Sequence, residues 1–194
     1  MAYKIIMLIL LACFYYIYFA KQISLKKQGI HTNRLAKGSK PTKTRIIELC
    51  LLLITYTMAA VQFLSVFFYH YAARIEFPEY IPLIGIGLTL LGVVIFLLSV
   101  ITMGRNWRAG IDESQKTEII SAGIYKYSRN PAFVGFDLLY IGSALVFPSM
   151  PIAMLTLAAV ITLHLQILEE EKYLSKKFGE AYESYKNKTA RYLI

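Results

Sequence analysis

Charged residues are scarce in this sequence, and acidic residues are the scarcer kind. Only 17% of the 194 residues are Asp, Glu, Lys or Arg, whereas 57% are hydrophobic. Soluble domains of this size normally contain roughly a quarter charged residues and seldom have apolar runs near 20 residues long. The composition therefore excludes an ordinary soluble enzyme. It predicts a single integral membrane domain over residues 1–194, without a separate soluble catalytic domain.

Cysteine is almost absent, and a familiar nucleotide-binding pattern is missing. Cys13 and Cys50 are the two cysteines, and both lie inside apolar runs. We expect them to be small buried hydrophobic residues rather than a disulfide or a metal pair. No Gly-x-Gly-x-x-Gly stretch occurs, so the fingerprint of a Rossmann-type dinucleotide site is lacking. No residue has metal-site spacing with His164, so no metal is expected.

Long apolar runs predict five membrane-spanning helices. They cover residues 5–20, 49–69, 81–103, 131–147 and 152–168. The first, fourth and fifth have 16 or 17 residues, so flanking residues are needed to cross roughly 30 Å of hydrocarbon. The short connection at 148–151 predicts a tight antiparallel hairpin of the fourth and fifth spans. The expected fold class is an all-α integral membrane protein with five transmembrane helices.

Basic residues exceed acidic ones and predict the orientation of the spans. The net charge is +9, and the segment 21–45 contains eight Lys or Arg and no acid. Loops rich in Lys and Arg stay in the cytoplasm, so this loop is expected there. A multi-pass protein with its N-terminus outside and its C-terminus cytoplasmic follows. The excess charge is then explained by topology and by attraction to anionic membrane lipids, and nucleic acid is not an expected partner.

The residues after the fifth span predict an amphipathic C-terminal helix. Apolar and aromatic side chains recur there at helical spacing: Tyr173, Leu174, Phe178, Tyr182 and Tyr185. Such a helix is expected to lie on the membrane or to fold back over the cytoplasmic rim. Three adjacent carboxylates, Glu169 to Glu171, precede it. They are a solvated turn paired with lysines, or the helix continues through them, or a cation lies beside them.

A second unusual segment precedes the fourth span. Asn130 is a favourable N-cap and Pro131 suits the first helical position. Tyr125, Arg129, Phe133 and Gly135 gather at the same helix start, where free amides favour anionic groups.

Other features of the spans concern packing or isolated polar groups. Gly85, Thr89 and Gly92 form a small-residue stripe that would let a neighbouring helix approach closely. Asp137 is interpreted either as a structural partner of a base or as a site residue. His164 is expected to bridge helices rather than to bind metal.

Two ordered motifs resemble a known family. The first is Gly-Ile-Tyr-Lys-Tyr-Ser-Arg-Asn-Pro-Ala-Phe-Val-Gly at 123–135. After the predicted hairpin come Glu-Glu-Glu at 169–171 and Phe-Gly-Glu-Ala-Tyr-Glu-Ser-Tyr-Lys at 178–186. Together they resemble the isoprenylcysteine carboxyl methyltransferase family, within a wider superfamily of phospholipid methyltransferases and some sterol reductases. The resemblance covers roughly residues 103–192.

The resemblance implies an integral membrane enzyme that uses S-adenosylmethionine without a Rossmann domain and releases S-adenosylhomocysteine. The cofactor would lie in a cytoplasmic pocket formed by segments 104–135 and 166–194. Glu170 would hold the cofactor's amino group or a ribose hydroxyl. The resemblance also implies a set of pocket-lining residues: Thr117, Glu118, Ile119, Ile120, Tyr125, Asn130, Pro131, Ala132 and Phe133.

This sequence departs from the family pattern at two positions. The family usually has His where this chain has Asn130, which argues against a general base and suits an acceptor that is already an anion. Eukaryotic relatives have Arg, suited to pairing with the substrate carboxylate, where this chain has Gln166. Arg129, or another rim base such as Arg105 or Arg108, would then take that role. Arg129 and Tyr125 are accordingly the candidate catalytic residues, and Gln166 and Arg129 the candidate substrate-binding residues.

The reaction expected from the resemblance is transfer of a methyl group to a lipidic acceptor that enters from the bilayer, the carboxylate of a prenylated cysteine. One alternative is a phospholipid or amine methyltransferase, which would need a base such as Glu118 or Asp137. A sterol-type reductase with a nicotinamide cofactor is another. A non-enzymatic scaffold subunit is the third, and it would tolerate changes at Glu170 and Tyr125 without losing any ligand.

Overall fold

The computed structural model describes residues 2–71, 75–110 and 118–193, and its regular structure is α-helical. The helices are α1 (Ala2–Lys27), α2 (Thr42–Phe68), α3 (Ile81–Met103), α4 (Pro131–Val146), α5 (Met150–Phe178) and α6 (Glu180–Lys188). Four of them are long and apolar enough to cross a membrane: α1, α2, α3 with its following turn, and α5. The shorter α4 is also apolar. The prediction of an all-α, multi-pass membrane protein is confirmed.

The longest helix does not end where its apolar run ends. α5 continues beyond residue 168 to Phe178, so Glu169 to Glu171 lie within a continuous helix. The break comes at Gly179, whose φ of 53° is in the left-handed region that favours glycine. The amphipathic segment is therefore divided between the end of α5 and the short α6. The expectation of one separate helix after residue 168 was wrong.

The predicted small-residue stripe packs α3 against α4. A Cβ atom on Gly85 would lie 2.7 Å from the carbonyl oxygen of Gly142, and one on Gly92 would lie 2.8 Å from that of Gly135. Any side chain at these positions would force the two helices apart. The stripe prediction is confirmed, and Gly135 of α4 is part of this close contact.

Contacts between the connections define the two ends of the bundle. At one end, the amide of Ile75 donates to the carbonyl of Pro148 over 2.9 Å, which joins the chain after α2 to the connection between α4 and α5. At the other end, the amide of Arg34 donates to the carbonyl of Ala109 over 2.8 Å. The basic loop between α1 and α2 therefore packs against the segment that follows α3.

The prediction that the two cysteines are buried was wrong. Cys13 and Cys50 are free thiols on exposed surfaces of α1 and α2. In a membrane helix the outward face is as apolar as the inward face, because it meets lipid rather than water. An apolar neighbourhood in the sequence therefore did not indicate burial for these residues.

Candidate functional site

Two adjoining cavities lie at the end of the bundle that carries the basic loop. The first is an open cleft. Its walls come from the segment after α3, from residues 118–120, and from α5 and α6. It is lined by Met103, Asn106, Arg108, Gly110, Glu118, Ile119, Ile120, Tyr125, Arg129, Glu170, Tyr173, Leu174, Tyr182 and Tyr185.

The second cavity extends from the first between the helices and is mainly apolar. Side chains of α1, α2, α4 and α5 surround it. Phe19 and Tyr56 line it and are also 44% and 55% exposed on the outer surface. The cavity therefore opens sideways between α1 and α2, where the surface of the bundle would meet lipid.

A short common wall joins the two cavities. It consists of Met103, Arg108, Gly110, Tyr125, Arg129, Glu170 and Leu174. Three charged side chains, those of Arg108, Arg129 and Glu170, lie on this wall, whereas the rest of the second cavity is lined mainly by hydrocarbon and aromatic rings. A polar molecule in the first cavity and the polar end of a lipid in the second can therefore meet there.

Tyr125 is held in this wall by a tight turn. The turn spans Gly123–Lys126, and a Cβ atom on Gly123, which has a φ of 55°, would lie 2.8 Å from the hydroxyl oxygen of Thr102. The hydroxyl of Tyr185 on α6 donates to the Tyr125 carbonyl over 2.7 Å. The Tyr125 side chain is buried, and this burial raises the pKa of its hydroxyl well above the ordinary value. Tyr125 therefore remains neutral at any physiological pH.

The three adjacent glutamates have three different environments. Glu169 accepts a hydrogen bond from the Thr44 hydroxyl over 2.5 Å and lies 3.5 Å from the ammonium of Lys43. Glu170 faces both cavities and accepts a hydrogen bond from the Gln166 amide over 2.9 Å. The other polar atom of that amide, Gln166 Oε1, is buried without a hydrogen-bond partner in the part of the chain that the structure describes. The middle carboxylate is thus the one directed to the cavities.

Glu171 pairs with two arginines and so stabilises the common wall. Its Oε1 accepts from Arg129 Nη2 over 2.9 Å, and its Oε2 accepts from Arg191 Nη2 over 2.9 Å. Arg129 also donates from Nη1 to the carbonyls of Lys186 and Thr189. Every guanidinium nitrogen of Arg129 therefore donates to a protein oxygen. This arrangement disfavours Arg129 as the partner of an acceptor carboxylate, although it borders both cavities.

Asn130 belongs to the same hydrogen-bond network. It occupies the N-cap position of α4, as predicted, but its side chain makes no capping bond. Instead, Nδ2 donates to Glu171 Oε1 over 3.1 Å and to the carbonyl of Arg191 over 3.2 Å. Pro131 does occupy the start of α4, as predicted.

The residues implied by the family motif are divided between the cavities. Glu118, Ile119, Ile120, Tyr125 and Glu170 line the first cavity. Asn130, Ala132 and Phe133 line the second, and Pro131 and Gln166 are among the lining residues of neither. Thr117 lies outside the described residues. The family motif therefore contributes to both cavities rather than to one.

Sequence reasoning missed most of the second cavity. Its walls include Tyr15, Tyr18, Leu51, Thr55, Tyr56 and Ala59 of the first two helices. Tyrosines near span ends usually anchor a helix at the membrane interface. No local signal distinguishes a tyrosine that faces a cavity from one that faces a headgroup.

The two isolated ionisable residues of α4 and α5 lie apart from the common wall. Asp137 is not among the residues that line either cavity. The Nδ1 atom of His164 forms a hydrogen bond with the hydroxyl of Tyr192 over 2.5 Å. His164 therefore bridges α5 to the C-terminal tail, in agreement with the structural interpretation.

Comparisons with known proteins support the resemblance carried by the motifs. A model of the phospholipid methyltransferase family matches residues 80–181. The chain is 27% identical over 128 residues to a probable protein-S-isoprenylcysteine O-methyltransferase of Oryza sativa subsp. indica, covering 61% of this chain and 66% of the rice protein. It is 27% identical over 148 residues to protein-S-isoprenylcysteine O-methyltransferase B of Arabidopsis thaliana, covering 72% of this chain and 74% of the plant protein.

A protein-S-isoprenylcysteine O-methyltransferase of Xenopus laevis is 29% identical over 113 residues, covering 56% of this chain and 39% of the frog protein. The chain thus spans just under two thirds of the rice relative and well under half of the frog relative. These similarities confirm the family resemblance seen in the motifs.

Proposed function

The chain belongs to the phospholipid methyltransferase family, and on this premise we propose that it transfers the methyl group of S-adenosylmethionine to the carboxylate of a prenylated cysteine. The observation that carries the proposal is the common wall between a polar cleft and an apolar cavity that opens towards lipid. Methyl transfer between a water-soluble donor and a lipid acceptor requires this kind of meeting point. The names of the relatives support the choice of acceptor.

The residues of the first cavity fit S-adenosylmethionine. Glu170 offers a carboxylate to an ammonium or to ribose hydroxyls, and the Gln166 amide holds that carboxylate in position with a hydrogen bond of 2.9 Å. Tyr173, Tyr182 and Tyr185 provide aromatic surface for an adenine ring or a sulfonium. When bound, S-adenosylmethionine supplies an electrophilic methyl group.

The protein's part in the reaction is to position the acceptor and to exclude water. A carboxylate with a pKa near 4 is already ionised at neutral pH, so no side chain has to remove a proton. Arg108 borders both cavities, and we assign it to hold the acceptor carboxylate in place of Arg129. Tyr125 is neutral and buried, and it keeps water from the attacking oxygen. Aligning the two reactants and excluding water from them is the main source of rate enhancement for such a transfer.

We propose five spans, with α4 and α5 forming a hairpin, an outer N-terminus and a cytoplasmic C-terminus. α4 is about 24 Å long at 1.5 Å per residue, so flanking residues complete its crossing. The alternating contacts at the two ends of the bundle support this path of the chain. The basic loop lies at the same end as both cavities, which supports a cytoplasmic cofactor site.

Anionic membrane lipids are the proposed partners of the basic loop. Lys26, Lys27, Lys37 and Arg45 are exposed around it, and each base near an anionic surface contributes about 1 kcal/mol. Lys40 is different, because it is buried in an ion pair with Glu48 at 2.6 Å. We do not propose nucleic acid as a partner.

One alternative acceptor is an ethanolamine lipid, favoured by Glu118, which lines the first cavity and could accept the ammonium proton. Methylation of a phosphatidylethanolamine that depends strongly on Glu118 would support it.

Equilibrium binding of S-adenosylhomocysteine to the purified protein in detergent tests the proposed cofactor. We expect saturable binding, and binding of a nicotinamide cofactor instead would indicate a reductase. The absence of binding at millimolar concentration would overturn the proposed function. A scaffold role would be indicated if, in addition, changes at Glu170 and Tyr125 had no effect on any ligand.

A further inference from the structure

The second cavity has a closed inner end, formed by a hydrogen-bonded cross-link of three helices. The hydroxyl of Tyr15 on α1 donates to Gln62 Oε1 over 2.6 Å, and Gln62 Nε2 donates to the hydroxyl of Ser143 on α4 over 2.7 Å. Gln62 and Ser143 are both completely buried. Buried polar groups in the membrane interior are costly unless they are paired, so this cross-link is a rigid feature of the bundle.

The cross-link lies one helical turn beyond the last lining residues. On α2 the cavity ends at Ala59, and Gln62 is three residues further along the same helix. On α4 it ends at Tyr140, and Ser143 is again three residues further. The same offset on two helices shows that the cross-link closes the cavity.

The depth of the cavity follows from the helix positions that line it. From Leu51 to Ala59 on α2 the distance is about 12 Å, and from Asn130, which directly precedes α4, to Tyr140 it is about 15 Å, at 1.5 Å per residue. A zigzag carbon chain with bonds near 1.5 Å advances about 1.3 Å per bond, so a chain of about ten to twelve carbons fills this depth. A farnesyl group has a main chain of about this length, and a geranylgeranyl group is about four main-chain carbons longer.

We propose that this closed cavity selects the acceptor by chain length, with Ala59 at its inner end setting the limit and the farnesyl group as the chain that fills it. The inference rests on the proposed function, because the polar end of the acceptor is placed at the common wall. Ala59 is the position to test because a larger side chain there shortens the cavity without touching the wall. The α1 and α2 residues concerned lie outside the segment matched by the family model.

The experiment compares cysteine acceptors carrying geranyl, farnesyl and geranylgeranyl groups, with initial rates measured for each in detergent. The wild type should have its highest kcat/KM with the farnesyl acceptor. Ala59→Leu should move the optimum to the geranyl acceptor, with a loss of about tenfold or more for farnesyl, since misfit in an apolar pocket is worth that much. Ala60→Leu is the matched control, because Ala60 is the adjacent residue and is exposed on the outer surface of α2.

A second variant tests the chain-length limit by extending the cavity instead of shortening it. Gln62→Ala removes the closing side chain and should raise the relative rate with the geranylgeranyl acceptor. Binding of S-adenosylhomocysteine reports whether each variant is folded. If folding of Ala59→Leu is impaired, the chain-length preference of Gln62→Ala tests the inference instead.

The inference is overturned if folded Ala59→Leu keeps the wild-type chain preference, or if Gln62→Ala does not extend it. Either result would mean that the tail leaves through the opening between α1 and α2. No transfer to any of the three acceptors by the wild type would be a different failure. It would contradict the proposed function, and the chain-length limit with it.

Discussion

Arg129 and Arg191 bind opposite oxygens of one carboxylate, that of Glu171, each from 2.9 Å. Arg129 precedes α4 and Arg191 follows α6, so the ion pairs connect three parts of the chain around the first cavity. The backbone reinforces them, because the amide of Arg129 donates to the carbonyl of Ala190 over 2.9 Å. The C-terminal tail is thus a structural support of the common wall.

Removing the charge of Arg191 from the C-terminal tail should destabilise the common wall. Arg191→Ala removes two hydrogen bonds to Glu171, and such charged bonds contribute about 1.5–3 kcal/mol. Because the Arg191 side chain is about a third exposed, we expect a cost near the lower value and a lower Tm, together with weaker S-adenosylhomocysteine binding. Thermal unfolding in detergent measures this. Lys188→Ala, on an exposed position of α6, is the control, and an equal decrease in Tm for both variants would contradict the support role.

Glu170 and Glu180 provide a direct test of the cofactor assignment. Glu170→Gln should weaken S-adenosylhomocysteine binding by more than about tenfold, because it removes a charge-assisted bond of about 1.5–3 kcal/mol. Glu180→Gln should have little effect, since Glu180 is exposed at the start of α6. Titration calorimetry of the two purified variants compares them. Small and equal effects would show that the Glu triplet has no part in cofactor binding.

Arg108 and Arg105 test the assignment of the acceptor carboxylate. Arg108 borders both cavities, whereas Arg105, three residues earlier, is exposed. Arg108→Gln should raise the acceptor KM by about tenfold or more, because an arginine–carboxylate pair is charge-assisted, and it should affect the cofactor Kd much less. Arg105→Gln should leave both unchanged. If Arg105→Gln alone raised the acceptor KM, the carboxylate would lie at the outer rim instead.

The orientation can be tested by labelling. A cysteine placed at Lys37, which is exposed in the basic loop, should react with an impermeant reagent only from the cytoplasmic side of sealed vesicles. Cys13 and Cys50 are exposed on the helix surface, so they are first replaced by Ser. Reaction of the new cysteine from the outer side would contradict the orientation and place both cavities outside.

Local chemistry made part of this structure predictable from the sequence. The stripe of Gly85 and Gly92 indicated a close helix contact, and Pro131 indicated the start of α4. In both cases neighbouring residues carry the signal. The family motif also predicted that Glu170 and Tyr125 serve one site, and the structure brings both to the same wall.

Other features depend on long-range contacts that no local pattern records. Asn130 favours helix capping by its residue type, yet Glu171, 41 residues later, takes its amide group. Arg129 could have been a free base, but the tail returns to bind it. Whether Cys13 and Cys50 face the lipid or the core was not predictable, because lipid and core are equally apolar. For the same reason, the cavity-facing side of α1 and α2 could not be identified.

The central claim, methyl esterification of a prenylated cysteine, is tested most directly by methyl transfer from S-adenosylmethionine to farnesylcysteine and to an ethanolamine lipid between pH 6 and 9. An acceptor carboxylate with a pKa near 4 is ionised throughout this range. Burial raises the pKa of Tyr185 to about 12 and that of Tyr125 further above its ordinary value, so these two tyrosines stay neutral as well. With S-adenosylmethionine saturating at each pH, the account predicts a base-labile methyl ester on farnesylcysteine, formed at a rate that is nearly independent of pH. A steep rise in rate with pH, or methylation of the ethanolamine lipid alone, would contradict it.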